Sequence, residues 1–113
     1  MPDPSRPQRR FPRIPSENAV LVKRVGDDTS ESLAKTRVLG GGGCMFSHEG
    51  SLGVGSMVEL LISLPLRVLK ARGRVVYENS AKPHGVEVGV EFLSVSAEDR
   101  LALADLLAKS PRK

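Results

Sequence analysis

Aromatic side chains are scarce in this 113-residue chain, which has one Tyr, three Phe and no Trp. Its hydrophobic core must therefore be built from aliphatic residues. Apolar runs long enough for a transmembrane helix are also missing, so we expect no membrane insertion. The opening residues, MPDPSRPQRR, are polar and proline-rich and do not have the charged-then-apolar pattern of a secretion signal. These absences predict one small domain with a modest core.

Residues suited to catalysis or metal binding are few, with one Cys and two His. The lone Cys44 cannot form an intramolecular disulfide, which favours a reducing, cytoplasmic location. It alternates with Phe46, and this pattern indicates a core thiol rather than a nucleophile. Ser47, His48 and Glu49 combine three catalytic residue types, but adjacent residues do not converge on one substrate. We interpret this stretch as a solvated loop and expect no catalytic residues, no metal site and no enzyme.

Period-two alternation of apolar residues predicts a series of short strands. The clearest is 86–92 (VEVGVEF), in which three Val and one Phe occupy every second position. Segments 57–64 and 66–77 alternate in the same way, and the second places Tyr77 on the inward side. Weaker patterns predict strands at 19–25, 33–39 and 44–47, separated by turns rich in Gly and Pro.

Helical spacing replaces this alternation near the end of the chain. Ser96 and Asp99 fit a capping box, in which each side chain bonds the other residue's backbone N–H. A broad apolar stripe follows, and Asp105 and Lys109 form a favourable i,i+4 pair. About six short strands and one amphipathic helix predict a small, largely antiparallel barrel, with the helix across one end or one side.

Positive charge is concentrated in the tails, since residues 1–13 and 109–113 each carry +3 while 14–108 carry −2. A nucleic-acid binder usually spreads basic charge over a folded face and interleaves aromatic residues. Neither feature is present. We therefore do not expect DNA as a partner, and the tails suit a smaller anion or a protein surface.

The N-terminal tail contains Arg9, Arg10 and Arg13 among prolines that favour an extended arm. Guanidinium groups form bidentate bonds with phosphate oxygens and stack on planar bases. In an extended chain Arg9 and Arg13 lie on the same side, about 13 Å apart at the backbone. The spacing suits a clamp on one ligand with several phosphates or bases, and a disordered basic tail is the alternative.

Four consecutive glycines, Gly40–Gly43, form a second candidate site. Such a run lets the backbone approach a ligand and presents N–H groups to an anion. No Lys-Ser/Thr pair follows, so it is not a phosphate-binding loop of the P-loop type. A tight turn between two strands is the alternative that the chemistry alone favours.

Taken together, Arg9-x-x-x-Arg13, the early strand, the glycine turn and the ending VGVEFLSVSAEDRLALADLL resemble the PilZ domain family over residues 9–108. The resemblance implies a six-stranded antiparallel β-barrel with a C-terminal α-helix, and binding of the bacterial second messenger cyclic di-GMP. It implies that Arg9 and Arg13, with Arg10 as an added charge, grip phosphates and guanine. Gly40 and Gly43 then belong to the ligand-binding turn, and Gly89 lies where the ligand approaches.

The second family motif, Asp/Asn-x-Ser-x-x-Gly, is only partly kept. With its last glycine at Gly43, Val38 stands at the Asp/Asn position and Gly40 at the Ser position. One lost charge-assisted hydrogen bond of about 1.5–3 kcal/mol weakens binding roughly tenfold to a hundredfold. Two hypotheses remain open: a cyclic di-GMP receptor that signals to a protein partner by ordering its arginine arm, and a divergent adaptor that acts through protein contact without the nucleotide.

The predicted organisation has three parts. Residues 1–18 form the basic arm, residues 19–108 form the barrel and helix, and residues 109–113 form a basic tail.

Overall fold

A computed structural model of the chain describes residues 13–26, 31–81 and 85–109. These residues form seven β-strands and one α-helix. In chain order they are β1 (Arg13–Pro15), β2 (Ala19–Arg24), β3 (Glu31–Gly40), β4 (Gly43–His48), β5 (Met57–Ser63), β6 (Val68–Ser80), β7 (Val86–Val95) and α1 (Ala97–Lys109).

The strands pair antiparallel in the order β1-β3-β2-β5-β6-β7-β4, and a further β3–β4 pairing closes the sheet. Strands β2 to β7 thus form the six-stranded barrel that the sequence predicts. The short β1 and β2 pair with the same edge of β3, one after the other along its length. Ala19 of β2 lies opposite Lys35, and Arg13 of β1 lies opposite Gly40. Closure leaves none of the six barrel strands as a free edge.

Alternation explains the barrel interior. Strand β5 buries Val58, Leu60 and Ile62, and β6 buries Leu69, Ala71 and Val75. The core is almost entirely aliphatic, as the scarcity of aromatics predicts, and Phe46 is the one fully buried ring in the part of the chain that the structure describes. Among the described residues, the buried apolar side chains are Val20, Val22, Leu39, Cys44, Phe46, Leu52, Val58, Leu60, Ile62, Leu69, Ala71, Val75, Val88, Val90, Leu103 and Leu107.

The helix is fixed to β6 through a buried carboxylate. The Asp99 N–H donates to Ser96 Oγ at 3.1 Å, which confirms one half of the predicted capping box. The Asp99 carboxylate accepts instead from the Lys70 N–H at 3.1 Å and pairs with Arg67 at 2.8 Å. The i,i+4 pair of Asp105 and Lys109 is confirmed at 3.0 Å.

The apolar stripe of the helix is narrower than predicted. Leu103 and Leu107 are buried, but Leu101 is 72% exposed. Among the described residues, no helix has the length and apolar character needed to cross a bilayer.

Tyr77 also differs from the prediction, because it is 38% exposed rather than inward. The register of β6 against β7 shifts between Val75 and Tyr77, as at a β-bulge. An extra residue in one strand reverses the alternation beyond it. Tyr77 therefore faces outward and lies opposite Gly89.

Candidate functional site

The glycine run forms the turn between two paired strands. Gly40 ends β3 and Gly43 begins β4, so only Gly41 and Gly42 lie outside regular structure. Two-residue connections are the common short turns of antiparallel hairpins, and glycine is favoured in them. The backbone at these glycines therefore forms a tight turn between two strands, which is the alternative that the sequence favours. An anion-binding role of these glycines stays a prediction.

The close approach of β4 to β7 explains why residue 43 is a glycine. A Cβ at this position would lie 2.2 Å from the Val90 carbonyl oxygen, which belongs to the backbone and cannot rotate away. The Phe92 N–H donates to the Gly42 carbonyl oxygen at 2.8 Å. The glycine turn is thus seated tightly on β7, and side chains are excluded from the contact.

Strand β1 brings the end of the basic arm to this turn. Its register places Arg13 opposite Gly40, Ile14 opposite Leu39 and Pro15 opposite Val38. Of the three predicted arginines, Arg13 is the one whose backbone the structure describes. Arg9 and Arg10 lie outside the described residues, so their predicted roles remain predictions.

A hydrogen-bond network holds the chain in place just after β1. The Ser16 N–H donates to the Arg37 carbonyl at 3.0 Å, and the Thr36 N–H donates to the Asn18 carbonyl at 2.9 Å. Buried Thr36 Oγ1 accepts from the Asn18 N–H at 2.9 Å and also bonds Ser16 Oγ. Asn18 Nδ2 reaches the Ser63 carbonyl at 2.7 Å. The base of the arm is therefore anchored beside the hairpin.

Outward positions next to the turn form a continuous row across four strands. Val38 pairs with Met45, Met45 pairs with Gly89, and Gly89 pairs with Tyr77. A Cβ at Gly89 would lie 2.1 Å from Tyr77 Cε2, so the tyrosine ring lies directly over the glycine. We call this surface the glycine face and define it as Val38, Gly40, Gly43, Met45, Gly89 and Tyr77.

Tyr77 and Met45 are the members of the glycine face that the sequence does not predict. The bulge that turns Tyr77 outward depends on the partner strand and leaves no signal in the alternation of β6 itself. An aromatic ring covering a glycine on the neighbouring strand is a recognised sheet-stabilising pair. A ligand approaching Gly89 from outside would therefore meet the ring of Tyr77 before the backbone.

Charges of both signs flank the glycine face. Glu91 lies opposite Gly43 and also opposite Arg74 in the next strand. Arg37, exposed on β3, donates from Nη1 to Ser47 Oγ at 3.5 Å. A doubly negative ligand near the turn would therefore encounter the carboxylate of Glu91 as well as the nearby guanidinium groups.

His48 differs from the expected solvated loop, because it ends β4 and is half-buried. Its Nε2 lies 2.6 Å from Ser32 Oγ, and its Nδ1 lies 2.6 Å from the Gly50 carbonyl oxygen. Its ring also contacts Phe46 edge-on, with centroids 6.2 Å apart. These bonds connect the start of β3 to the end of β4, and they do not bring Ser47 and Glu49 together as a triad. His84 lies outside the described residues.

Cys44 is a core residue, as predicted. Burial raises the pKa of its thiol to about 12, so the thiolate needed for nucleophilic attack is not formed at neutral pH. Within 13–26, 31–81 and 85–109, no group of three or more His, Cys, Asp or Glu side chains is placed to hold a metal ion.

Comparison with known proteins identifies one family. The family model described as PilZ domain matches residues 7–109. The chain resembles the inhibitor of motility MotI/DgrA of Bacillus subtilis, with a TM-score of 0.80 and 19% identity over 92% of this chain and 51% of that one. It also resembles the PilZ domain of Escherichia coli YcgR, determined with cyclic di-GMP, with a TM-score of 0.74 and 15% identity over 90% of each chain.

A third similar structure is the complex of K. pneumonia MrkH with cyclic di-GMP, with a TM-score of 0.72 and 12% identity over 91% of this chain and 52% of that one. The present chain thus spans about half the length of the MotI and MrkH chains. Comparison with curated protein sequences gives no significant match.

Proposed function

The chain belongs to the PilZ domain family, and from this membership we propose that it is a cytoplasmic receptor module for cyclic di-GMP which signals to a protein partner. The observation that carries the proposal is the backbone register that lays Arg13 beside Gly40 at the glycine turn. The arginine motif and the glycine turn, which are far apart in sequence, thereby lie side by side on the barrel. The similarity to the YcgR PilZ domain, solved with cyclic di-GMP, supports the same assignment.

In this proposal the arginines bind the phosphates. Arg9 and Arg13 clamp the two phosphate groups through bidentate, charge-assisted hydrogen bonds, and Arg10 adds positive charge. The anchored base of the arm at Ser16 and Asn18 lowers the ordering cost, because only the residues before β1 must settle on the ligand. Ordering of this segment is the signal that a partner reads.

The glycine face supplies a flat surface for the bases. Tyr77 presents a partly exposed ring, and half-buried Met45 and Val38 continue the apolar surface towards the turn. Stacking of a base on an aromatic ring contributes about 1–3 kcal/mol and discriminates little among bases. The proposed site therefore binds through phosphate contacts and stacking more than through base-specific hydrogen bonds.

Calorimetric titration of the full chain with cyclic di-GMP tests the proposal. We expect heat of binding with micromolar affinity in the intact protein. Replacing Arg9 and Arg13 together by Ala removes two charged contacts of about 1.5–3 kcal/mol each, so the affinity falls at least about a hundredfold. Arg100→Ala, on the exposed side of α1, is the matched control and leaves binding unchanged. Absence of heat in the intact protein overturns the receptor function.

A second candidate function is that of an adaptor that has lost the nucleotide. Three features favour it: Val38 and Gly40 offer no polar side chain to read a base, and Glu91 places negative charge opposite Gly43. In this function the arm and the glycine face contact a protein directly.

The two functions predict different responses of a partner to the nucleotide. A partner captured on the immobilised chain is challenged with and without saturating cyclic di-GMP. Equal capture in both conditions supports the adaptor. Capture that requires the nucleotide rules the adaptor out and supports the receptor.

A further inference from the structure

Three leucines, half-buried Leu21 and the more exposed Leu33 and Leu61, stand in a row on the side of the barrel opposite the glycine face. Leu21 on β2 pairs with Leu33 on β3 and with Leu61 on β5, and Leu61 pairs in turn with Lys70 on β6. Leu33 is 76% exposed and Leu61 is 37% exposed. Contiguous exposed apolar side chains on a small domain mark a site of association.

A charged row runs beside the leucines, and its signs alternate. Lys23 on β2 lies opposite Glu31 on β3 and Glu59 on β5, and Glu59 lies opposite Arg72 on β6. From β3 through β2 and β5 to β6, the charges of these side chains are therefore negative, positive, negative and positive. Arg72 Nη2 donates to Glu59 Oε2 at 2.8 Å, so the row is already partly ion-paired within one molecule.

A shallow groove of about 180 Å³ runs between the two rows. Its lining comes from both of them: Leu21, Lys23, Glu31, Glu59, Leu61 and Lys70. We call the two rows with this groove the leucine face. It combines an apolar floor with charged walls of both signs.

An alternating row of four charges is complementary to itself. A two-fold axis parallel to the strands, between β2 and β5, reverses the order of the row in the second molecule. Glu31 then faces the second molecule's Arg72, and Lys23 faces its Glu59, each contact occurring twice. The same operation brings Leu21 against Leu61 of the second molecule and Leu33 against the aliphatic stem of its Lys70. Each of the four positions in the charged row meets its opposite, so the surface is self-complementary as in an isologous interface.

We propose that the leucine face is a self-association surface, and that its occupant is a second copy of this chain in two-fold symmetric contact. Because both barrels are convex, the contact centres on β2 and β5, and Lys23 with the second copy's Glu59 is its closest charged pair. The glycine face stays open on both outer sides of the dimer. The proposal is independent of nucleotide binding.

Sedimentation velocity of the full chain, without added nucleotide, tests the proposal. We expect concentration-dependent dimerisation, and a small interface of this kind is mostly assembled at about 1 mM protein. Lys23→Glu alone sets Glu against Glu59, and Glu59→Lys alone sets Lys against Lys23. Each single variant should therefore weaken dimerisation at least about tenfold.

An equimolar mixture of Lys23→Glu and Glu59→Lys provides the decisive measurement. In the mixed pair every facing charge is again opposite, so a heterodimer should form at concentrations where each variant alone is mainly monomeric. Arg100→Glu on α1 is the matched charge-reversal control and leaves dimerisation unchanged. Leu61→Ser, which alters no charge, is an independent check and should also weaken the dimer. Thermal melting of each variant establishes that it is folded.

Three results would overturn the proposal. They are a monomeric chain up to about 1 mM, dimerisation that survives both single variants, and a mixture that stays monomeric. The proposal is also overturned if the leucine face binds a different protein while the chain itself stays monomeric.

Discussion

Gly43 and Gly89 on the glycine face have no room for a side chain, whereas on the leucine face every outward position carries one. A Cβ at Gly43 would lie only 2.2 Å from the Val90 carbonyl oxygen, and Gly89 lies beneath the ring of Tyr77. Around β2 and β5, by contrast, Leu21, Leu61 and their charged neighbours project outward in register. The same closed sheet thus combines glycines with a few apolar side chains on one side, and presents a full set of outward side chains on the other.

This difference teaches where function depends on shape and where it depends on side-chain identity. At the glycine face, close packing leaves no room for larger side chains at the glycine positions, so substitutions there destabilise the fold. Polar side chains can therefore be introduced only at selected positions of this face. The leucine face is set by charge order and apolar contact, so substitutions there leave the fold intact and change association. Four measurements test this contrast, in order of decreasing effect.

The largest effect is expected for Gly43→Ala. The new methyl group meets a backbone oxygen, so β4 and β7 must separate, at a cost of about 3 kcal/mol in the free energy of unfolding. Gly50→Ala is the matched control, because a Cβ there has nothing within 4 Å, and its change stays within about 0.5 kcal/mol. Urea denaturation measures both. Equal stabilities would show that the strand approach at Gly43 is not constrained.

The next effect concerns affinity. Val38→Asp combined with Gly40→Ser places on the glycine face the polar groups that the motif of the family contains. A regained charge-assisted hydrogen bond of about 1.5–3 kcal/mol should tighten cyclic di-GMP binding tenfold to a hundredfold by calorimetry. Val54→Asp, on an exposed loop, adds the same charge elsewhere and should change nothing. Unchanged affinity in the double variant contradicts a nucleotide site at this turn.

A smaller loss is expected for Tyr77→Ala. The substitution uncovers Gly89 and removes a cross-strand pair, which costs about 1 kcal/mol in the free energy of unfolding. Tyr77→Phe keeps the ring and should retain nearly all of that stability. If the two variants lose equal stability by thermal melting, the hydroxyl rather than the ring stabilises this pair.

The smallest effect is a pH dependence. Partial burial opposes ionisation of Glu78, but hydrogen bonds from Ser51 and from the Leu52 and Gly53 N–H groups outweigh it and lower its pKa. The carboxylate therefore stabilises the fold above the pKa of an unfolded Glu, about 4.3, and this contribution is lost as the pH falls through the lowered value.

Glu78→Gln should flatten the acid limb of the stability curve, measured by urea unfolding between about pH 6 and pH 3. Glu59→Gln is the comparison on the leucine face. A hydrogen bond from Arg72 is the main cause of the lowered pKa of Glu59, and this carboxylate is exposed to solvent and screened, so its effect should be smaller. A larger change from Glu59→Gln than from Glu78→Gln would contradict this ranking of the two carboxylates.

Local pattern was enough to predict much of the barrel and helix. Alternation identified Val58, Leu60 and Ile62 as buried because a strand's inward positions depend only on its own period, and Ser96 was readable as a helix cap for the same local reason. The glycine turn could be located from its composition. These features need no knowledge of which strand lies beside which.

Features that depend on strand pairing could not be predicted. The alternation of β6 alone predicts that Tyr77 faces inward, because the bulge that turns it outward arises from the pairing of β6 with β7. The sequence around His48 predicts a solvated loop because its partner Ser32 lies 16 residues earlier, on β3. The leucine face was likewise invisible, since Leu21, Leu33 and Leu61 become neighbours only when three strands pair in register.

The buried thiol of Cys44 makes this chain convenient for site-specific chemistry. It is the single cysteine of the sequence, and its raised pKa of about 12 and its position inside the barrel keep it from reacting with maleimide while the protein is folded. A second cysteine introduced on either face can therefore carry a fluorophore without background labelling. The slow modification of Cys44 itself then times the spontaneous opening of the barrel.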